Sequence, residues 1–368
     1  MYLYMLLIVP TSSLWSLTVV HQTLHERHRP PPGKRHAESP TRLVAARKAL
    51  TAAPFAGRIV WTRALDSERT PQDAVAALKL VHTVEHLRAV QGLSQSGGGG
   101  FDMDTYCAPG SWEAMLDGTR AWLHATALAA EARGPAVALS RPAGHHATAS
   151  VAMGFGLVNF AAAATAALLT ARPEARVSIL DWDVHYGNGV ADLLREEPRA
   201  LYCSLHEFGG FPGGGEEEQQ RGPRGNLLRL PLPRGSGREA FLSALRHKAL
   251  PFLLARPPDV LLVCAGYDGL LADPLATMEL SPADYGEAVR AVLDEHGFPA
   301  ERVAIGLEGG YALDLEEGMP AALVETCGAL IARGRRGGGE TDTGSDGTGL
   351  GMGDSVRECE STRDSAAS

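Results

Sequence analysis

The stretch that most constrains this chain runs from Val177 to Val190, Val-Ser-Ile-Leu-Asp-Trp-Asp-Val-His-Tyr-Gly-Asn-Gly-Val. Val177 to Leu180 is a short apolar run of the kind that makes a buried strand. Asp181, Asp183 and His185 follow at alternate positions, and in an extended chain residues i, i+2 and i+4 share one face. Two carboxylates and an imidazole therefore converge where a strand ends, just before Gly187 and Gly189 let the backbone turn. Carboxylate oxygen together with imidazole nitrogen suits a borderline divalent metal such as zinc. A polar exit from strand to loop would look the same, so the rest of the chain has to decide between the two.

Bulk properties narrow the choices. A chain of 368 residues, 45% of them hydrophobic, can bury a sizeable core in one large α/β domain. The net charge of -9 and the lack of a long Lys/Arg block argue against direct nucleic-acid binding. The cysteines (Cys107, Cys203, Cys264, Cys327, Cys359) are scattered, without a CxxC pair. That usage fits free buried thiols in a reducing compartment. A soluble protein of cytoplasm or nucleus is expected, with an organelle left open because no acidic residue precedes Glu26. Residues 1–16 are apolar and stay unassigned. They lack a basic leader and a cleavage site, and Pro10 with its polar neighbours argues against a stable membrane insertion. A folded domain is expected over 17–332, followed by a disordered Gly/Ser/Asp-rich tail over 333–368. Oligomeric state is not legible.

Along the chain, Leu17 to Val20 reads as a first strand. A helix is expected from Arg42 to Ala52, with Ser39 as N-cap and Pro40 in its first turn. One or two amphipathic helices follow within Asp73 to Val90, then a Gly-rich loop at Gly97 to Gly100 and a long helix from Trp112 to Ala132. From there strands and helices alternate. The strands are Ala136 to Leu139, Val177 to Leu180, Leu201 to Leu205, Val260 to Cys264 and Val303 to Leu307. The helices are Phe160 to Ala171, Gly189 to Glu196, Arg238 to Leu254 and Pro282 to Asp294. Strands apolar on both faces and alternating with helices imply an α/β fold, a central parallel β-sheet with helices on both faces.

In open parallel sheets ligands sit outside the carboxyl ends of the strands. Five expected strands deliver chemistry at that edge. Arg141 to His146 follow the first, and Asp181, Asp183, His185 and Asn188 the second. His206 to Phe208 and Phe211 follow the third, Tyr267 and Asp268 the fourth, and Glu308 to Tyr311 the fifth. Scattered surface polars would not sort themselves in this way.

Over about His36 to Leu330 the chain resembles the zinc-dependent histone deacetylases, proteins of the arginase–deacetylase fold. It is most similar to the class II pattern and to plant and bacterial deacetylase-like amidohydrolases. The resemblance is carried by His36-Ala-Glu-Ser-Pro-Thr-Arg42, His82 to His86, Asp104-Thr105-Tyr106, Arg141 to His146, Gly154-Phe155-Gly156, Asp181 to Gly189, Ser204-Leu205-His206, Ala265 to Asp268, Asp273-Pro274-Leu275 and Glu308 to Tyr311. Tyr186 stands where the family commonly has histidine, and Ala143 where proline is usual.

The resemblance implies that Asp183, His185 and Asp268 bind zinc, leaving room for water and a substrate carbonyl. It implies His145 and His146 as the proton-transfer pair, oriented by Asp181 and by Asn188, the class II counterpart of a class I aspartate. Tyr311 matches the donor to the tetrahedral oxyanion. Gly154, Phe155 and Phe211 match the walls of the lysyl channel, and Asp104 matches a rim residue near the substrate backbone. Oxygens of Asp181, Asp183, His185, Ser204 and Leu205 match a potassium site. The implied reaction is hydrolysis of N-acetyl-lysine in histones or other proteins, releasing acetate. A small acetylated amine such as an acetylpolyamine is the alternative substrate, and an inactive binding module in a chromatin complex the reading of another class.

Overall fold

The protein is described by a computed structural model covering residues 16–66, 74–215 and 222–332. The apolar segment 1–15, the glutamates Glu216 to Glu218 and the tail 333–368 lie outside the described residues.

Eight strands form one parallel sheet: β1 (Leu17–His21), β2 (Ile59–Arg63), β5 (Ala136–Leu139), β6 (Val177–Asp181), β7 (Ala200–Glu207), β8 (Leu227–Leu232), β9 (Val260–Ala265) and β10 (Val303–Leu307). Their order is β2-β1-β5-β10-β9-β6-β7-β8. The five strands whose ends carry the candidate residues are thus neighbours, β5-β10-β9-β6-β7, and their carboxyl ends form one continuous edge. A separate two-residue antiparallel ladder joins β3 (Gly99–Gly100) to β4 (Tyr106–Cys107), where the sequence suggested only a loop.

The central strands are apolar on both faces because helices cover both. In β9, Leu261 and Val263 pack in one layer, Leu262 and Cys264 in the other, and all four are buried. The first layer includes Leu250, Tyr285 and Leu323 from the helical segments after β8. The second includes Trp122 and Phe160 from the helices Ser111–Ala130 and Phe160–Ala171. Cys107, Cys203, Cys264 and Cys327 are free and buried. Among the described residues no helix is long and apolar enough to cross a membrane.

Three further details differ from the sequence expectations. The helix Thr41–Ala52 has no side-chain cap. Ser39 instead bonds the Thr41 hydroxyl at 2.6 Å, and Pro40 before the helix is already in helical conformation. The helix from Arg238 contains a π turn, Leu245–Ala249, before its last turn, Leu250–Leu254. Pro251 has no N–H to donate and its ring crowds the preceding turn, so the widened turn falls where a regular helix would clash. Finally, β2 and β8 flank the sheet as edge strands that the sequence reading did not include.

Candidate active site and metal centre

At the end of β6 the chain places Asp181, Asp183 and His185, and at the end of β9 it places Asp268. His185 Nδ1 lies 3.1 Å from Asp183 Oδ1 and 3.1 Å from Asp268 Oδ2. One ligand atom from each of the three residues falls within 4.8 Å of the others. The second oxygen of each carboxylate is tied to the scaffold. Asp183 Oδ2 accepts the Gly309 N–H at 2.8 Å, and Asp268 Oδ1 accepts the Val184 N–H at 3.0 Å. Close approach depends on glycine at two positions. A Cβ at Gly266 would meet Asp183 Oδ2 at 2.2 Å, and one at Gly309 would meet Asp268 Oδ2 at 2.1 Å.

These residues fit a zinc ion. Tetrahedral coordination with bonds of about 2.0 Å sets ligand atoms about 3.3 Å apart, close to the 3.1 Å spacings seen. Two carboxylates and one neutral imidazole supply the charge that a buried dication needs. In the structure His185 Nδ1 lies between the two carboxylates. Burial opposes ionisation of Asp183, but His145 and His185 hold its carboxyl well below the usual range. Asp268 is pushed up, first by burial and then by the charge of Asp183.

His145 and His146 follow β5, both buried, with ring centroids 4.0 Å apart. His145 Nδ1 is 3.0 Å from Asp181 Oδ2, and that oxygen also accepts the Tyr202 hydroxyl at 2.8 Å. His146 Nδ1 is 2.9 Å from Asn188 Oδ1. The partners differ in charge, and the two rings differ with them. Burial opposes the charge on His145, but Asp183 and Asp181 outweigh it and raise its pKa to about 10. A cation on Asp183 would offset much of that effect. His146 is lowered well below its ordinary value, by burial first and then by His145 and His185.

A pocket of about 440 Å³ leads down to these groups. Phe155 meets the Tyr311 ring edge-on at 5.5 Å, and Phe211 meets His146 edge-on at 5.0 Å. Gly154 and Phe155 both have positive φ, 56° and 67°, which turns the Phe155 ring into the pocket wall. Tyr311 lines the same pocket, its backbone N–H bonded to Asp273 Oδ2 at 2.6 Å and the Arg42 guanidinium over its ring at 4.7 Å. Burial holds its phenol well above its ordinary pKa, so the hydroxyl keeps its proton. Asp104 is exposed at the mouth, its carbonyl bonded to His36 Nε2 at 3.0 Å. Ala143 lines the pocket as well.

Of the residues matched to a potassium site, Asp181 and Ser204 are paired in register on β6 and β7. The Ser204 hydroxyl bonds His206 Nδ1 at 2.9 Å, and the Leu205 side chain points into the core. Tyr186 packs on the His206 ring at 5.0 Å, beneath Arg229.

Two supporting groups were not assigned roles from sequence. Glu308 Oε2 accepts the Gly144 N–H at 2.5 Å and the His145 N–H at 3.2 Å. A buried Glu38 is gripped by Arg141, through Nε at 2.8 Å and a second bond from Nη2, and lies 3.4 Å from Arg42. The signal for Glu308 was its place directly after a strand. Glu38 bonds partners as far as 103 positions away, which no spacing rule reveals.

Comparison with known proteins agrees with this geometry. Residues 36–327 match the family model described as "Histone deacetylase domain". An uncharacterized protein of Synechocystis sp. is 38% identical over 81% of this chain and 95% of its own length. A histone deacetylase-like amidohydrolase of Pseudomonas aeruginosa is 34% identical over 82% of this chain and 77% of its own length. The crystal structure of the HDA15 HD domain superposes with a TM-score of 0.75 at 31% identity, over 86% of this chain and 90% of that one. The chain belongs to the histone deacetylase family, and its sheet and helices are the arginase–deacetylase fold.

Proposed function

We propose that this chain is a zinc-dependent amidohydrolase that removes the acetyl group from N-acetyl-lysine side chains of proteins, releasing acetate. The observation that carries the reading is one convergence. Asp183, His185 and Asp268, two histidines with different partners, and a protonated tyrosine all meet at the floor of one aromatic-walled pocket.

When bound by Asp183, His185 and Asp268, zinc would polarise the acetyl carbonyl and lower the pKa of water toward about 7. The chain's own residues do the rest. His145 Nε2, its Nδ1 held by Asp181, takes a proton from the attacking water. His146, its Nδ1 held by Asn188, serves the departing amine, and the proton that His145 takes from water passes through the histidine pair to that nitrogen as the C–N bond breaks, so the pair ends as it began. Tyr311 donates a hydrogen bond from its hydroxyl to the carbonyl oxygen as that oxygen becomes negative and keeps its own proton. Phe155 and Phe211 flank the methylenes of the lysyl stem beside Gly154, and Asp104 at the mouth accepts a substrate backbone N–H. Oxygens of Asp181, Asp183, His185, Ser204 and Leu205 are proposed to hold a structural potassium ion behind the centre.

A small acetylated amine is the second reading, favoured by one feature. Among the described residues the pocket lining includes the carboxylates Asp102 and Asp104 at its mouth and no lysine or arginine. The test is turnover of the zinc-loaded chain on acetyl-lysine peptides and on acetylpolyamines. Faster turnover of peptides supports the protein substrate, and the reverse order replaces it with the amine. Tyr311→Phe should lower turnover by about 100-fold on the preferred substrate. Hydrolysis of neither substrate class would overturn the proposal.

A further inference from the structure

Glu308 is fully buried and lies where two active-site loops meet. Its backbone is fixed on three sides. Its N–H donates to Ala265 O at 3.0 Å, its carbonyl accepts a bond from Arg42, and its neighbour Gly309 donates to Asp183. From this fixed point the side chain reaches across to the loop after β5. There a single oxygen accepts both the Gly144 and the His145 N–H groups. Asp181 holds the His145 ring by its Nδ1, but among the described side chains only Glu308 accepts a hydrogen bond from the backbone N–H of His145. Tyr311 stands three residues after Glu308, on the same loop.

We propose that Glu308 is a positioning residue. Its carboxylate clamps the backbone of His145 and so fixes the distance between the proton acceptor and the Tyr311 donor. This rests on the proposed hydrolase reading. What matters is an acceptor oxygen at the right reach, because that oxygen closes two buried N–H groups. Glutamine keeps that reach and loses the charge. Aspartate keeps the charge and falls one methylene short. A clamp therefore ranks Glu308→Gln above Glu308→Asp, whereas a role for the charge ranks them the other way.

The experiment measures kcat and KM of the zinc-loaded full chain on an acetyl-lysine peptide for Glu308→Gln, Glu308→Asp and Glu308→Ala. Amide hydrogen exchange across residues 141–147 is measured in parallel. Expected for Glu308→Gln is a kcat within about 3-fold of the unsubstituted chain and unchanged exchange. Expected for Glu308→Asp and Glu308→Ala is a kcat lower by about 30-fold with KM changed less than about 2-fold, since displacement of a catalytic group by ~1 Å has effects on this scale. Exchange at Gly144 and His145 should quicken in both. Glu308→Asp as active as Glu308→Gln, or exchange unchanged in Glu308→Asp and Glu308→Ala, would overturn the proposal. So would loss of folding in all three variants, which would make Glu308 a determinant of the fold alone. If the unsubstituted chain hydrolyses no acetyl amide, the hydrolase reading fails and the exchange arm still decides whether the clamp exists.

Discussion

The Glu38 cluster and the Asp183–His185–Asp268 cluster are both buried, and they are assembled in opposite ways. Glu38 is one carboxylate between two guanidinium groups, with the Tyr106 hydroxyl as a further donor at 3.1 Å. Arg141 also donates to the Tyr106 hydroxyl at 2.9 Å and to the His25 carbonyl, and Arg42 to the Gly310 carbonyl. Hydrogen bonds within the chain hold the carboxylate and both guanidinium groups of that cluster. The other cluster brings two carboxylates onto one imidazole, and burial, with the charge of Asp183 behind it, pushes the Asp268 pKa up. A buried cluster with carboxylates in excess attracts a cation from outside, and one with guanidinium groups in excess does not. Burial and charge count together mark the site, while burial alone would mark both.

The contrast can be broken most strongly at Arg141. Replacing it by methionine leaves Glu38 buried with Arg42 as its remaining ion-pair partner. A loss of about 3–5 kcal/mol is expected, as for one partner removed from a buried pair, read from denaturant unfolding. A loss below about 1 kcal/mol would mean that the cluster is no more than a solvent-relaxed ion pair.

The next effect is on acid stability. Burial opposes ionisation of Glu38, yet Arg141 lowers its pKa from 4.5 to about 2. A folded-state pKa below the unfolded value means that the stabilisation is fully present above about pH 4.5 and is lost as the pH falls through about 2. The amount is on the order of 3 kcal/mol. Unfolding measured across that window in the native chain and in Glu38→Gln checks it, and equal acid limbs would contradict it.

The smallest effect is expected at the Asp183–His185–Asp268 cluster. Asp268→Asn removes one of two facing negative charges, so the metal-free protein should gain about 1 kcal/mol, a few degrees in Tm, while zinc binding is lost. A destabilised metal-free variant would show that Asp268 serves the fold and would erase the contrast.

Much of this was legible in the sequence because the central strands are short apolar runs with their chemistry immediately after them. Ala136–Leu139 and Val303–Leu307 were delimited to the residue. The edge strands were not, for reasons of environment. Ile59–Arg63 is only partly buried, and Leu227–Leu232 contains Arg229 and Pro231, residues that weaken a strand reading and are tolerated at a sheet edge. Within the site, the i, i+2, i+4 spacing brought Asp181, Asp183 and His185 to one place, and Asp268 joined them through its position after another strand of the sheet and through the family resemblance. Their division into a metal cluster and a histidine partner came from the family resemblance. The Asp273 bond to the Tyr311 backbone and the Glu308 clamp join residues 38 and 163 positions apart. Local pattern carries no trace of such pairings.

The central claim is that the Asp183–His185–Asp268 cluster takes zinc and that zinc supports hydrolysis. It is tested most directly by measuring bound zinc and acetate release together on purified full-length protein, before and after chelation, with Asp183→Ala alongside. A single tightly held zinc with peptide deacetylation is expected, both lost on chelation, both restored by added zinc, and both absent in a folded Asp183→Ala. Unchanged acetate release from the zinc-free chain, or from Asp183→Ala, would contradict it.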